Sequence, residues 1–163
     1  MTITIMKQIG FCAGHRLMNH GGKCENLHGH NYIAQIYVSG QEMDSIGRVV
    51  DFSVIKKLFK SWIDEHWDHA MLLWEEDTTS IEALSSIQPN RIHVLPYNPT
   101  AENMARYLLE VVAPKLLDEI PQYNVQVSKV AIWETDTSCA EVANSLESAT
   151  GTASIESWQQ PVD

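Results

Sequence analysis

Cations are scarce in this chain: 11 lysines and arginines stand against 21 aspartates and glutamates, a formal net charge of −10. A phosphate backbone demands clustered Lys and Arg, so the deficit argues against nucleic acid as a partner, though not against a small anionic ligand. Cysteine is scarce as well. Cys12, Cys24 and Cys139 are too few and too scattered for a disulfide framework. No run of about 18 apolar residues exists, so no membrane span is expected. The N-terminal stretch has no basic segment followed by an apolar core and cleavage site, which argues against a secretory signal. Together these absences describe a reduced, cytoplasmic protein. At 163 residues the chain is long enough to bury a real core and is expected to form one domain, residues 1–146, followed by a loosely held tail, 147–163, rich in Ser, Thr, Ala and Gln.

What the chain does have is histidine in a particular pattern. His15 closes the segment Ile3 to His15, and His28 and His30 open the segment His28 to Val38. If both are strands, side chains two apart share a face. Ile9, Phe11, Ala13 and His15 then line one face of the first, and His28, His30, Tyr32, Ala34 and Ile36 one face of the second. A hairpin pairs the end of one strand with the start of the next and so brings His15 beside His28 and His30. Three neutral imidazoles without an obvious fourth ligand describe a catalytic zinc site with an open position. A lone histidine is more commonly an ordinary core or surface residue, and His20, His66 and His93 are read that way. Arg16 and Lys23 flank the histidines in a Gly-rich polar loop, where they either meet phosphates or are simply solvated.

Further on, Val54, Ile55, Leu58, Phe59, Trp62 and Ile63 recur at helical spacing after a capping Asp51 or Ser53. Residues 75–90 are polar and read as loop with at most a short helical turn. Ile92 to Leu95 reads as a short strand. Asn98-Pro99-Thr100-Ala101-Glu102 is a helix start, with Met104, Ala105, Leu108, Val112 and Leu116 as the buried stripe and Pro121 as the stop. Val125 to Thr135 and Cys139 to Leu146 read as the last two strands. The order strand, strand, helix, helix, strand, strand gives an α+β domain with its helices on one face of a four-stranded sheet. Association of several copies would cover the other face and the sheet edges.

These residues resemble the 6-pyruvoyltetrahydropterin synthase / 6-carboxytetrahydropterin synthase family over roughly residues 3–146. The resemblance rests on Phe11-x-Ala13-x-His15; Cys24-x-x-x-His28-Gly29-His30-Asn31; Gly47-x-Val49-x-Asp51-Phe52; Asp68-His69; Pro99-Thr100-x-Glu102-Asn103; and Glu134-Thr135. It implies a tunnelling fold, a four-stranded antiparallel sheet with two helices inserted between strands two and three, assembled as a trimer or homohexamer with zinc sites between subunits. It also implies 7,8-dihydroneopterin triphosphate as substrate. The three-residue spacing between Cys24 and His28 is similar to that of the 6-carboxytetrahydropterin synthases of the deazapurine (queuosine) pathway, whereas the biopterin-making synthases have a longer one.

The resemblance carries roles onto residues. His15, His28 and His30 hold zinc; Cys24 is the base that removes a proton made acidic by the metal; Asp68 orients His69, which relays a proton. Glu134 grips the pterin by accepting two parallel hydrogen bonds. Thr135 is a weaker pocket residue; Thr100 and Glu102 either line the same pocket or are ordinary helix-start residues, the latter reading being preferred, and Cys12 and Cys139 are read as packing residues. The activity expected is a zinc-dependent carbon–carbon lyase that releases acetaldehyde and triphosphate and leaves 6-carboxy-5,6,7,8-tetrahydropterin. The alternatives are a 6-pyruvoyltetrahydropterin synthase, which eliminates triphosphate and keeps the carbon chain, and a non-catalytic pterin- or metal-binding protein.

Overall fold

Alternation in the first two segments becomes the longest pairing of the structure, a computed structural model that describes residues 1–144. The expected tail, 147–163, and residues 145–146 lie outside the described residues. Strands β1 (Ile3–His15) and β2 (His28–Gly40) run antiparallel in unbroken register, from Ile3 opposite Gly40 to His15 opposite His28. Ile9, Phe11 and Ala13 on β1 and Tyr32, Ala34, Ile36 and Val38 on β2 are all buried. A slip of one residue would turn this whole set to solvent, so the pattern fixes the register. Gly29 allows the two strands to close up beside the histidines, since a Cβ there would come 2.8 Å from the Ala13 carbonyl oxygen.

Helix α1 (Phe52–His66) starts as expected, with the Asp51 carboxylate accepting from the Ser53 N–H at 2.8 Å. Its Ile55, Phe59 and Ile63, four apart, form the fully buried stripe. Strand β3 (Ala70–Trp74), helix α2 (Thr78–Ser85) and strand β4 (Ile92–Leu95) follow. Helix α3 (Ala101–Tyr107) is capped by Thr100, whose hydroxyl accepts from the Asn103 N–H at 3.2 Å. It continues through a π-helical stretch, Leu108–Val112, into α4 (Ala113–Leu117). The expected stripe of Met104, Ala105, Leu108, Val112 and Leu116 is buried throughout. The widened turn precedes Pro114, which has no N–H for the helical ladder. Strands β5 (Gln126–Thr135) and β6 (Ser138–Ala143) complete the sheet.

The sheet differs from the four antiparallel strands expected. Six strands stand in the order β4-β3-β1-β2-β5-β6, and the sheet is mixed. Its β1, β2, β5 and β6 are the antiparallel four. Beside them β3 runs parallel to β1, and β4 parallel to β3. The reason β3 was invisible is its composition: Ala-Met-Leu-Leu-Trp is apolar on both faces and carries no alternation, the usual condition of a parallel strand covered on both sides. Parallel neighbours need a crossover, and α2 is part of it, in the segment expected to be loop. Asp77 caps α2, accepting from the Ser80 N–H at 3.2 Å. No helix among the described residues is long and apolar enough to cross a membrane.

On β4, His93 is packed among the rings of Trp62, His66, Trp67 and Tyr107, and its Nε2 is buried without a partner among the described residues. Burial, reinforced by the charge of His66, lowers its pKa from 6.5 to about 4. The unfolded chain therefore takes up a proton at a pH where the folded one does not. This contribution to stability is intact above about 6.5 and is lost as the pH falls from there towards about 4. His93→Phe is expected to flatten that part of the stability profile. Urea midpoints of the variant and the parent, measured from neutral pH to about 4, test it; parallel curves would remove His93 from the account.

Candidate metal and substrate site

The loop end of the β1–β2 hairpin carries the three histidines on the core-facing side of the sheet. Register places His15 opposite His28 and Ala13 opposite His30, so the expected meeting of the three rings occurs. One ring nitrogen of each lies within 4.8 Å of the others'. His15 is fully buried, while His28 and His30 are half-buried.

Hydrogen bonds on the far sides of the rings decide what the near sides can do. The His15 Nδ1 lies 2.8 Å from the Pro99 carbonyl oxygen, and the His28 Nδ1 lies 2.7 Å from that of Asn26. A carbonyl only accepts, so Nδ1 carries a proton in both rings and, when the rings are neutral, Nε2 presents its lone pair. These two Nε2 atoms face each other at 3.0 Å. In neutral rings, two lone pairs at that distance repel unless a cation lies between them. Burial, partly offset by the Pro99 carbonyl and reinforced by His28 and His30, lowers the pKa of His15 from 6.5 to about 4, so it is neutral at physiological pH. Neutral imidazoles with oriented tautomers are the donor set a transition metal takes. The histidines fit a metal, although the donors do not distinguish zinc from its neighbours in the series. Tyr32, one pleat beyond His30, puts its hydroxyl 3.2 Å from the His15 Nδ1. The sequence reading missed Tyr32 and the two carbonyls as orienting groups; of these, only Tyr32 had a signal, its place on the histidine face.

Cys24 lies in a 3-10 turn, Lys23–Glu25, tied back to the end of β1 by the Leu17 N–H, which donates to the Cys24 carbonyl at 2.8 Å. It is half-buried and near enough to the site that its charge, after burial and the charge of Glu134, helps push the Tyr32 phenol upward. Tyr32 therefore stays protonated. Glu134 arrives from β5 at an irregularity: register shifts between Trp133 and Thr135, leaving Glu134 unopposed on β6. A bulge of this kind re-aims a side chain. Its Oε1 lies 3.6 Å from the Nε2 of His15 and 3.7 Å from that of His30. Because His15 is neutral, the first of these contacts is not an ion pair. Thr135, next along, is exposed and accepts from the Thr137 N–H at 3.3 Å within the β5–β6 turn.

The Asp68–His69 pair sits elsewhere, clamped onto β1 at Cys12. The Cys12 N–H donates to Asp68 Oδ1 at 2.8 Å, and the His69 N–H donates to the Cys12 carbonyl at 2.6 Å. The His69 Nδ1 donates to Asp68 Oδ2 at 2.8 Å, which leaves its Nε2 free. Burial pushes the Asp68 carboxyl up, but the Cys12 N–H, the His69 ring and the charge of Lys60 together hold it below the usual carboxylate range. His69 has a left-handed backbone, φ 58°, strained for a side-chain-bearing residue, and its ring is 77% exposed. With Cys12, His30, Asn31 and Met71 it lines an open cleft of about 500 Å³. No hydrogen bond joins Cys24 to Asp68 or His69 among the described residues. The expected packing roles of Cys12 and Cys139 do not hold: both are exposed, and Cys12 Sγ bonds Asn31 Oδ1 at 3.0 Å. Arg16 is not a free phosphate ligand. Its Nε lies 2.9 Å from the buried Asp77 carboxylate, which ties α2 to the residue after His15.

The family model described as 6-pyruvoyl tetrahydropterin synthase matches residues 4–145. The 6-carboxy-5,6,7,8-tetrahydropterin synthase of Rickettsia conorii is 36% identical over 140 residues, covering 86% of this chain and 99% of that protein. The enzyme of the same name from Haemophilus influenzae is 32% identical over 142 residues, covering 84% and 96%. An uncharacterized protein of Wolinella succinogenes, 24% identical, superposes with a TM-score of 0.75 over 88% of this chain and 99% of its own, and shares the fold. The chain belongs to the 6-pyruvoyl tetrahydropterin synthase family.

Proposed function

We propose that the protein is a zinc-dependent lyase that converts 7,8-dihydroneopterin triphosphate to 6-carboxy-5,6,7,8-tetrahydropterin, releasing acetaldehyde and triphosphate, as a step towards deazapurines such as queuosine. The observation that carries this reading is the pair of His15 and His28 lone pairs converging at 3.0 Å beside the Cys24 turn. The short Cys24–His28 spacing and the names of the relatives favour the 6-carboxy product over the 6-pyruvoyl one.

When bound by His15, His28 and His30, zinc supplies the Lewis acidity that polarises a side-chain oxygen of the substrate and acidifies the adjacent C–H bond. Cys24, on its turn between the two histidine-bearing strands, takes that proton. Asp68 keeps the Nδ1 of His69 protonated, so His69 exchanges protons through Nε2. The His69 ring is exposed, and in an oligomer with sites between subunits it would serve the Cys24 of another copy. Glu134 accepts from the amino group and adjacent N–H of the pterin ring.

Incubation of the zinc-loaded protein with 7,8-dihydroneopterin triphosphate, with products identified by mass, tests the assignment. Acetaldehyde and 6-carboxy-5,6,7,8-tetrahydropterin are the expected products. Triphosphate release without acetaldehyde would assign the 6-pyruvoyl activity instead, and metal uptake with no turnover of any pterin would leave a binding protein.

A further inference from the structure

We infer that Arg91, the residue before β4, is a positioning residue for the proton relay: it holds the Asp68–His69 turn in the shape that presents the His69 ring. This rests on the proposed function for the role of His69, while the bracing itself is a matter of geometry.

The turn needs holding. His69 has φ 58°, a left-handed backbone that a side chain makes costly, and such residues persist only where their surroundings over-determine them. Its freedom lies in the peptide that joins Asp68 to His69. Rotation of that plane changes ψ of Asp68 and φ of His69 together and lets the chain return to an ordinary conformation. Both edges of the plane are taken. On one side the His69 N–H donates to the Cys12 carbonyl at 2.6 Å. On the other the Asp68 carbonyl accepts from Nη1 of Arg91 at 3.0 Å.

The same nitrogen donates to the Asp64 carbonyl at 2.6 Å, in the last turn of α1. In a continuing helix that carbonyl would be served by the Asp68 N–H, which goes instead to the carbonyl of Ile63 at 2.8 Å. Arg91 supplies the missing donor, and a cation at a helix C-terminus is favoured by the helix dipole. The Asp64 carboxylate is already held by Lys60 at 2.7 Å, so what Arg91 takes from this residue is its backbone. A guanidinium donates only and stays charged at any physiological pH, which makes both bonds charge-assisted.

Strand pairing brings Arg91 to the turn. Met71 stands opposite Ile92, and the Met71 N–H donates to the Arg91 carbonyl at 2.9 Å. Asp68 and Met71, on either side of His69, are thus both tied to Arg91. The crossover from β3 through α2 to β4 ends in a brace for the turn from which β3 begins. What the brace protects is the alignment of the relay. The Asp68 carboxylate accepts from the Cys12 N–H and from the His69 Nδ1, each at 2.8 Å, and a flip of the peptide between Asp68 and His69 would pull the two side chains apart. No hydrogen bond joins Arg91 to Glu134 or to the three histidines among the described residues, so loss of Arg91 reaches proton transfer before it reaches binding.

The experiment uses the full zinc-loaded chain and compares the parent with Arg91→Met, Arg91→Lys, His69→Ala and the double variant Arg91→Met/His69→Ala on 7,8-dihydroneopterin triphosphate. Arg91→Met is expected to lose at least about 10-fold in kcat, since a misplacement of about 1 Å by a remote change can cost about 100-fold. KM should stay within about 2-fold, because the groups that bind substrate are left in place. Arg91→Lys keeps a cationic donor without the planar fork and should fall between parent and Arg91→Met. In the His69→Ala background the Arg91→Met change should cost nothing further, since residues that act through one group are not additive. Hydrogen exchange read by mass spectrometry is independent of activity. A peptide over residues 67–71 should exchange at least about 10-fold faster in Arg91→Met, with the β2–β5 ladder unchanged. Parental exchange in Arg91→Met would overturn the brace, whatever the rate. Additive losses in the double variant would overturn the action through His69 and make Arg91 a general stabiliser. A parent that turns over no pterin would bring down the proposed function instead, and the exchange comparison would still decide whether Arg91 holds the turn.

Discussion

Replacing His28 with alanine is expected to abolish stable metal binding while the protein still folds. His28 contributes one of the two facing lone pairs, and its ring is half-buried at the end of β2 rather than in the core. Loss of a direct ligand should exceed the 10–100-fold penalty typical of losing an outer partner, on the order of 100-fold or more. Elemental analysis after dialysis against a weak chelator measures it, and full occupancy in the variant would exclude the three-histidine site. Stability gives an independent reading of the same contact. Without metal, His15 and His28 present lone pairs to each other at 3.0 Å, so the variant should be at least as stable as the metal-free parent. With metal at 100 times its dissociation constant, the parent alone should gain about 2.7 kcal/mol by mass action. Thermal melts with and without metal separate these outcomes, and a variant that gains as much as the parent would mean that the ion binds elsewhere.

Changing Cys24 to alanine should have the largest effect on turnover and almost none on metal content. The sulfur is on a three-residue turn that supplies no proposed ligand, and the turn is held by backbone bonds that alanine retains. Removal of a positioned acid–base group typically costs on the order of 100-fold or more. Single-turnover rates on the proposed substrate, at matched metal occupancy, are the measurement. Cys139→Ala, at an exposed position on β6, should run at the parental rate. A Cys24 variant with near-parental turnover and full metal would make the thiol structural and pass the base to another residue.

Much of the site was legible in order but not in arrangement. The meeting of His15, His28 and His30 follows from the sequence because alternation in two long segments leaves only one register that buries Phe11, Ala13, Tyr32, Ala34 and Ile36 together. The cap at Asp51 was legible for a local reason too, a short polar side chain just before a periodic apolar stripe, whereas the second helix begins at Thr100, within the expected start signal Asn98 to Glu102. Strand β3 was not, because five apolar residues without alternation fit a strand or a buried helix equally well. The helix α2 has only Ser80 buried, so no apolar stripe announced it.

The sequence by itself determined the hairpin, its face and the three imidazoles, because these depend on period and on residues near one another along the chain. Only the tertiary structure decided what surrounds them. It set the Pro99 carbonyl against His15 across 84 positions, the Asp68 carboxylate against the Cys12 N–H across 56, and a bulge that turns Glu134 towards the histidines. Contacts of that separation arise when whole elements pack, and no local periodicity encodes which backbone carbonyl will face which ring. The tautomers of His15 and His28, and with them the case for a cation, are therefore properties of the packed chain rather than of the motif.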